Sequence, residues 1–270
     1  MENNNTYFME HEEESIRLDI KTNTNTLKKQ ALWAGIAQGT RVADIGCGPG
    51  KTTYYLNQLV QPGGEVVGFD FSEQRLKYAK ENYSDKNISF ICKDFTKPIS
   101  NIESFDFIWI RFVLEYFKRD SFTIVKNLTN ILKPGGTLCL IDLDCNCLRI
   151  HGLTEQINKI ITDVISKLEM SFDFDPYVGI KLYSYLYDLN FENIEVKLEP
   201  HNLIYGQLKP DEAYNWMKKI EIACKKTNHS FENYSNGLTG FLNDIKQFFF
   251  SERRFTYTPL ILCKGQKPVL

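Results

Sequence analysis

The stretch Val42-Ala43-Asp44-Ile45-Gly46-Cys47-Gly48-Pro49-Gly50 decides the fold: a short apolar run feeds into a turn with three glycines, and a helical pattern opens at Lys51. Glycines so spaced let the backbone turn sharply and leave main-chain N–H groups open to a ligand with no Cβ in the way. The next apolar run ends on Asp70, 20 residues beyond Gly50, where a carboxylate can accept hydrogen bonds from both hydroxyls of a ribose. A strand, a glycine turn, a helix and that acid together read as a nucleoside site. A dinucleotide fingerprint needs a third glycine where Lys51 stands, so the pattern fails for NAD. Asp44, two residues before the first glycine, can instead hold a cationic amino group.

Working outward, the strands predicted from apolar runs are Arg41–Gly46, Glu65–Asp70, Ile88–Cys92, Phe105–Ile110 and Thr137–Leu143, with amphipathic stretches between them. Ser72 caps the helix that follows it, and Lys133-Pro134-Gly135-Gly136 marks the turn into the fifth strand. β/α units in a row predict an α/β fold with a doubly wound, mostly parallel, Rossmann-like sheet. Beyond Asp144, helices are expected over about 153–168 and 179–189, then a strand over 192–198. Two helices with apolar stripes follow, containing Trp216, Ile220 and Cys224, and Phe241, Ile245 and Phe249. A final strand, Arg254–Lys264, makes the sheet seven-stranded and is expected to be antiparallel, at the sheet edge or beside it. The organisation expected is a helical cap over 1–38, a cofactor-binding core over 39–205 that includes the helices of 150–190, a helical lid over 206–252, and the last strand in 253–270.

Composition narrows the function classes. Of 270 residues 43% are apolar, enough for a sizeable core, which rules out disorder as a reading of the whole chain. The 32 basic and 34 acidic residues nearly cancel, so a broad electrostatic hold on nucleic acid is not expected. No run approaches a membrane span, and the Asn- and Glu-rich N-terminus is unlike a signal peptide, so the expectation is a cytoplasmic protein without membrane attachment. The seven cysteines show no zinc-site spacing and read as reduced thiols; no metal is expected.

The first motif, Asp44 to Gly50, resembles that of the class I S-adenosylmethionine-dependent methyltransferases. The resemblance continues in order through Glu65–Ser72, Lys93-Asp94-Phe95, Phe105–Arg111 and Leu132–Leu138. It implies that Asp44, Gly46, Cys47, Gly48 and Gly50 form the cofactor turn, that Asp70 holds the ribose, and that Phe71 lies beside the adenine. It also implies that Asp94 meets the adenine amino group, that the Phe95 backbone meets the ring, and that Arg111 belongs to the cofactor site. Tyr7 and Glu12-Glu13-Glu14-Ser15-Ile16-Arg17-Leu18 are similar to the N-terminal helix of a subgroup acting on small molecules. There Arg17 would meet the methionine carboxylate and Tyr7 the pocket near the methyl group.

The implied reaction moves a methyl group from S-adenosylmethionine to an O, N or C atom of a small molecule, leaving S-adenosylhomocysteine. Candidate catalytic residues are Tyr7, Glu115, Tyr116 and His151, with His201 a further imidazole; the family often has His where Tyr116 stands. A nucleobase amine acceptor is argued against by Ile110-Arg111-Phe112-Val113 in place of an Asn/Asp-Pro-Pro-Tyr/Phe run, and no Pro-Cys pair exists for attack on cytosine. Two same-fold alternatives stay open at this stage: non-methyl chemistry with the same cofactor, and non-catalytic cofactor binding with a regulatory role. The state of assembly is open between monomer and homodimer.

Overall fold

The computed structural model describes residues 14–99 and 102–269. Two helices come first, α1 (Glu14–Lys21) and α2 (Thr24–Ala34), the second capped by the Asn23 side chain on the Thr26 N–H. The alternating half follows: β1 (Arg41–Ile45), α3 (Lys51–Val60), β2 (Glu65–Asp70), α4 (Glu73–Asn82), β3 (Ile88–Cys92), β4 (Phe105–Arg111), α5 (Ser121–Leu128) and β5 (Leu132–Leu143). Then come a two-residue strand β6 (Ile150–His151), α6 (Glu155–Ser171), α7 (Leu182–Asp188) and β7 (Glu192–Tyr205). The chain closes with α8 (Pro210–Lys226), α9 (Gly237–Phe250) and β8 (Phe255–Gln266).

The strand order is β3-β2-β1-β4-β5-β8-β6, with β7 also on β8. β1 to β5 pair in parallel, and β8 runs antiparallel to both β5 and β7. Strand direction and the helical connections bear out the mostly parallel α/β sheet. Three details differ from the sequence expectation: the sheet has eight strands and not seven, the short β6 being the addition. β8 lies inside the sheet, between β5 and β7, because it is covered on both faces, with Leu260 and Leu262 buried in one layer and Cys263 in the other. β7 runs on past residue 198 to Tyr205 despite Pro200, since on that side β7 makes no further strand pairing that would need the missing N–H.

Period-two alternation places the two layers. On one face Val42, Val66, Phe107, Trp109 and Cys139 pack with Leu27 and Ala31 of α2 and Leu56 and Val60 of α3. On the other Ala43, Val67, Phe69, Ile108 and Leu138 pack with Ile124 and Val125 of α5 and Leu182 and Leu186 of α7. Helix α6, assigned by sequence to the core region, turns Ile157, Ile160, Val164 and Leu168 onto Trp216 and Cys224 of α8 and Phe241 and Ile245 of α9. These three helices share one apolar core, separate from the two beside the sheet. Among the described residues no helix is long and apolar enough to cross a membrane.

Candidate functional site

The order of strands reverses between β1 and β4, which leave the sheet in opposite directions of connection and open a crevice at their carboxyl ends. The glycine turn sits there. Gly46 and Cys47 donate their N–H groups to the Phe69 carbonyl, at 2.7 and 2.9 Å, and the Gly48 N–H donates to Asp70 Oδ2 at 2.9 Å. Asp70 therefore ties the turn of one strand to the end of the next. Its Oδ1 accepts from the Ser72 N–H at 2.9 Å and from Arg75 Nη2 at 3.0 Å, with both side chains of that pair buried. The Arg75 guanidinium in turn lies 4.9 Å from the Phe71 ring centroid. Gly50 does a different job, since a Cβ there would stand 2.7 Å from Ala79 Cβ and 2.9 Å from Phe90: the glycine permits close packing of the turn on α4 and β3.

Helix α1 lies across this crevice and supplies Arg17, Leu18 and Lys21 to a cavity at the turn. Of the residues that sequence reading assigned to the cofactor, Gly46, Cys47, Gly48, Asp70 and Phe71 border that cavity. So do Phe95 and Arg111, together with Tyr116 of the catalytic candidates. Burial, with the charge of Asp70 second, holds the Cys47 thiol well above its usual range, so it stays protonated and packs.

The other assignments are not gathered there. Asp44 is buried and accepts from Thr53 Oγ1 at 2.7 Å without bordering the cavity. Asp94 is exposed and engaged with Thr96 and Lys97. Glu115 turns into the protein, where it accepts from Asn146 Nδ2 at 2.6 Å. His151 is exposed on β6, whose pairing with Phe255 holds it away from the cavity. Tyr7 lies outside the described residues. Arg17 borders the cavity, but its Nε and Nη2 are held by the buried Glu14 carboxylate at 2.7 and 2.6 Å.

Several bordering residues escaped the sequence reading: Lys21, Arg75, Phe112 and Phe172. Lys21 had a signal, because it follows Arg17 by four residues and so shares its helix face. His201, one of the secondary imidazole candidates, is delivered by an irregularity in β7: the register shifts between His201 and Ile204, and Asn202 takes φ 48°. A bulge of this kind re-aims a side chain. Its Nε2 is buried without a hydrogen-bond partner, and its ring lies 5.0 Å from that of Phe112.

The buried Asp44 carboxyl has its pKa raised to about 7, first by burial, while the Thr53 hydroxyl pulls it down and Asp70 pushes it further up. The unfolded chain releases this proton near pH 4, whereas the folded protein keeps it until about pH 7. Between those values the folded state binds more protons than the unfolded one, so raising the pH costs stability. Asp44→Asn keeps an oxygen for Thr53 and removes that cost. Thermal unfolding should show it more stable than wild type at pH 8, by on the order of 2 kcal/mol, with the gain gone at pH 4. An unchanged difference across that range would mean the carboxyl does not titrate with folding.

Residues 42–136 match the family model described as "Methyltransferase domain". The demethylmenaquinone methyltransferase of Staphylococcus aureus is 36% identical over 135 residues, 47% of this chain and 56% of the relative. The chain thus spans about half the length of that curated relative. Among solved structures, the YcgJ protein of Bacillus subtilis matches 91% of this chain and 99% of its own at a TM-score of 0.59 and 17% identity. Phosphoethanolamine N-methyltransferase 2 of Haemonchus contortus, solved with phosphomonomethylethanolamine and S-adenosylhomocysteine, covers 94% of this chain and 57% of its own, with a TM-score of 0.58 and 17% identity. The glycine turn, the acid at the end of the second strand and the strand order agree with this match, so residues 42–136 form a domain similar to the methyltransferase family.

Proposed function

We propose that the protein transfers a methyl group from S-adenosylmethionine to a small-molecule acceptor. The observation that carries this reading is the cavity between the glycine turn and α1, with Asp70 at one side and Arg111 and Tyr116 at another. The cofactor fits the donor set of that cavity. Space above Gly48 is open, since a Cβ there would meet only Leu18, at 3.8 Å. Asp70 Oδ2 accepts one hydrogen bond, from Gly48, which leaves a lone pair for a ribose hydroxyl. Phe71 and Phe95 are the apolar surfaces available to the adenine.

When bound, the cofactor supplies an already activated sulfonium methyl, so the share of the protein is to align the acceptor and exclude water. Helix α1 and Phe172 serve the second task by covering the turn. Of the candidates to meet an acceptor hydroxyl, Tyr116 and His201 border the cavity, while Glu115 and His151 do not. Burial first, and the neighbouring cations Lys21, Arg111 and Lys219 after it, hold the His201 pKa well below its usual value, so the imidazole is neutral at pH 7 and suited to accepting a hydrogen bond from an acceptor hydroxyl rather than to carrying its proton.

Calorimetric titration with S-adenosylmethionine, S-adenosylhomocysteine and NAD tests the reading. Binding of both sulfur nucleosides with Kd on the order of micromolar, and none of NAD, is the expected result. Transfer of a labelled methyl group to an extractable small molecule should follow. NAD binding without the sulfur nucleosides would overturn the proposal.

A further inference from the structure

Four basic groups converge at the end of the cavity away from Asp70, on elements far apart in sequence. Phe112 is their hub: Lys21 Nζ lies 5.0 Å and the Arg111 guanidinium 4.2 Å from its ring centroid, and the His201 ring 5.0 Å. Phe112 itself takes φ 59°, a conformation a bulky residue adopts at a cost. Lys219 of α8 completes the group: it is tied through Asn146 to Glu115, the neighbour of cavity-bordering Tyr116, and its charge acts on both Lys21 and His201.

Among the described residues the direct partners of this cluster are neutral amides. Arg111 Nε donates to the Gln30 amide oxygen at 3.1 Å and Lys219 Nζ to Asn146 Oδ1 at 3.0 Å. Among the described residues Lys21, Arg111 and Lys219 form no ion pair within 4.0 Å. The nearby acids are occupied: Glu115 by Asn146, Asp44 by Thr53, Asp142 by the N–H groups of Leu114, Glu115 and Leu143, and Glu199 by Gln30 and Lys197. Burial first, then the charges of Arg17, Lys219 and Arg111, drives Lys21 down to about 7, and burial drives Arg111 down to about 10 against the pull of Asp44, Asp142 and Glu199. Cations held together at such a cost are stabilised by an anion placed among them. The cofactor carries one carboxylate, and Lys219 is not among the residues bordering its cavity.

Lys219 and Asn146 instead border a second cavity, inside the shared core of α6, α8 and α9, with walls that include Val164, Leu168, Ala223 and Phe241. Tyr116 borders the first cavity and Phe174 the second, and their rings stand 6.1 Å apart. The charged cluster therefore lies where the two cavities approach each other.

We propose that the methyl acceptor is an amphipathic acid, its anionic head seated among Lys21, Arg111, Lys219 and His201 and its apolar portion in the cavity between α6, α8 and α9. This rests on the methyltransferase reading and names its substrate class. The test is calorimetry on the full chain saturated with S-adenosylhomocysteine, with 4-butylbenzoate, 4-butylbenzamide, benzoate and butyl phosphate as probes. The benzoate with its butyl tail should bind at least tenfold more tightly than either its neutral amide or tailless benzoate, and butyl phosphate shows whether phosphate can replace carboxylate as the head. Lys21→Met and Lys219→Met should each cost 4-butylbenzoate tenfold or more and leave the amide unchanged, and Lys219→Met, outside the cofactor cavity, should keep S-adenosylhomocysteine affinity within twofold. Ala223→Leu, which narrows the cavity between α6, α8 and α9, should weaken 4-butylbenzoate but not benzoate.

Equal binding of acid and amide, or no binding of any probe, would overturn the proposal. So would a Lys21→Met protein that loses S-adenosylhomocysteine affinity while 4-butylbenzoate is unaffected, since the cluster would then serve the cofactor. Failure of S-adenosylhomocysteine to bind strikes the methyltransferase reading alone; an acid-over-amide preference in the ligand-free protein, abolished by Lys21→Met, would still uphold the anionic site.

Discussion

In the Asp70→Ala protein, S-adenosylhomocysteine should bind at least a hundredfold more weakly than to wild type, and the protein should also unfold at a lower temperature. The two losses have different causes. A ribose hydroxyl donating to an ionised acceptor contributes on the order of 1.5–3 kcal/mol per hydrogen bond, and the substitution removes that acceptor. It also removes the acceptor for the Gly48 and Ser72 N–H groups and the carboxylate facing the buried Arg75. Taking one member from a buried pair costs about 3 kcal/mol or more, a fall of roughly 6–12 °C in Tm for a domain of this size. Adding Arg75→Met to Asp70→Ala separates the effects: stability should recover in large part while binding should not. If the double variant regained affinity as well, the carboxylate would be a structural tie for the glycine turn and not the holder of the ribose.

How much could be read in advance follows from how local each feature is. The turn from β1 into α3 is contiguous in sequence, and its glycines and the acid at the end of β2 carry their own chemistry. The sheet was legible for a related reason: Val42 and Ala43, or Ile108 and Trp109, face opposite layers, so runs apolar on both faces announce strands covered on both sides. The site beyond the cofactor turn was not legible, because it is assembled from helix α1, the bulge in β7 and helix α8. Glu115 and Tyr116 show the limit. They are adjacent, and sequence gave no ground for separating them. In the structure they fall in the tight helical turn Leu114–Tyr116, which sends Tyr116 to the cavity and Glu115 to Asn146. His151 was drawn away by a pairing of two residues on β8 that no periodicity could announce.

Gly46→Ala and Gly48→Ala, two residues apart in the same turn, should fail in different ways. At Gly46 a Cβ would lie 2.3 Å from Val113 Cγ2, inside any tolerable contact, and the backbone holds φ 71°. Both costs fall on the folded state: overpacking contributes about 1–3 kcal/mol and the left-handed conformation about 1 kcal/mol more. Val113 cannot retreat easily, since it is buried in the core beneath the turn. At Gly48, φ is 54° and the added Cβ would meet only Leu18 Cδ1, at 3.8 Å, so folding bears the conformational cost alone. The methyl group would then occupy space left for the cofactor. Denaturant unfolding should therefore find Gly46→Ala destabilised by about 2–4 kcal/mol and Gly48→Ala by about 1 kcal/mol, with S-adenosylhomocysteine affinity lost in the second protein while it is still folded. Combining Gly46→Ala with Val113→Ala relieves the clash and should return more than half of the lost stability, a coupling between neighbours that additive losses would exclude. Additive losses would place the cost of Gly46→Ala in the backbone, and the turn would then owe its glycine to φ and not to Val113.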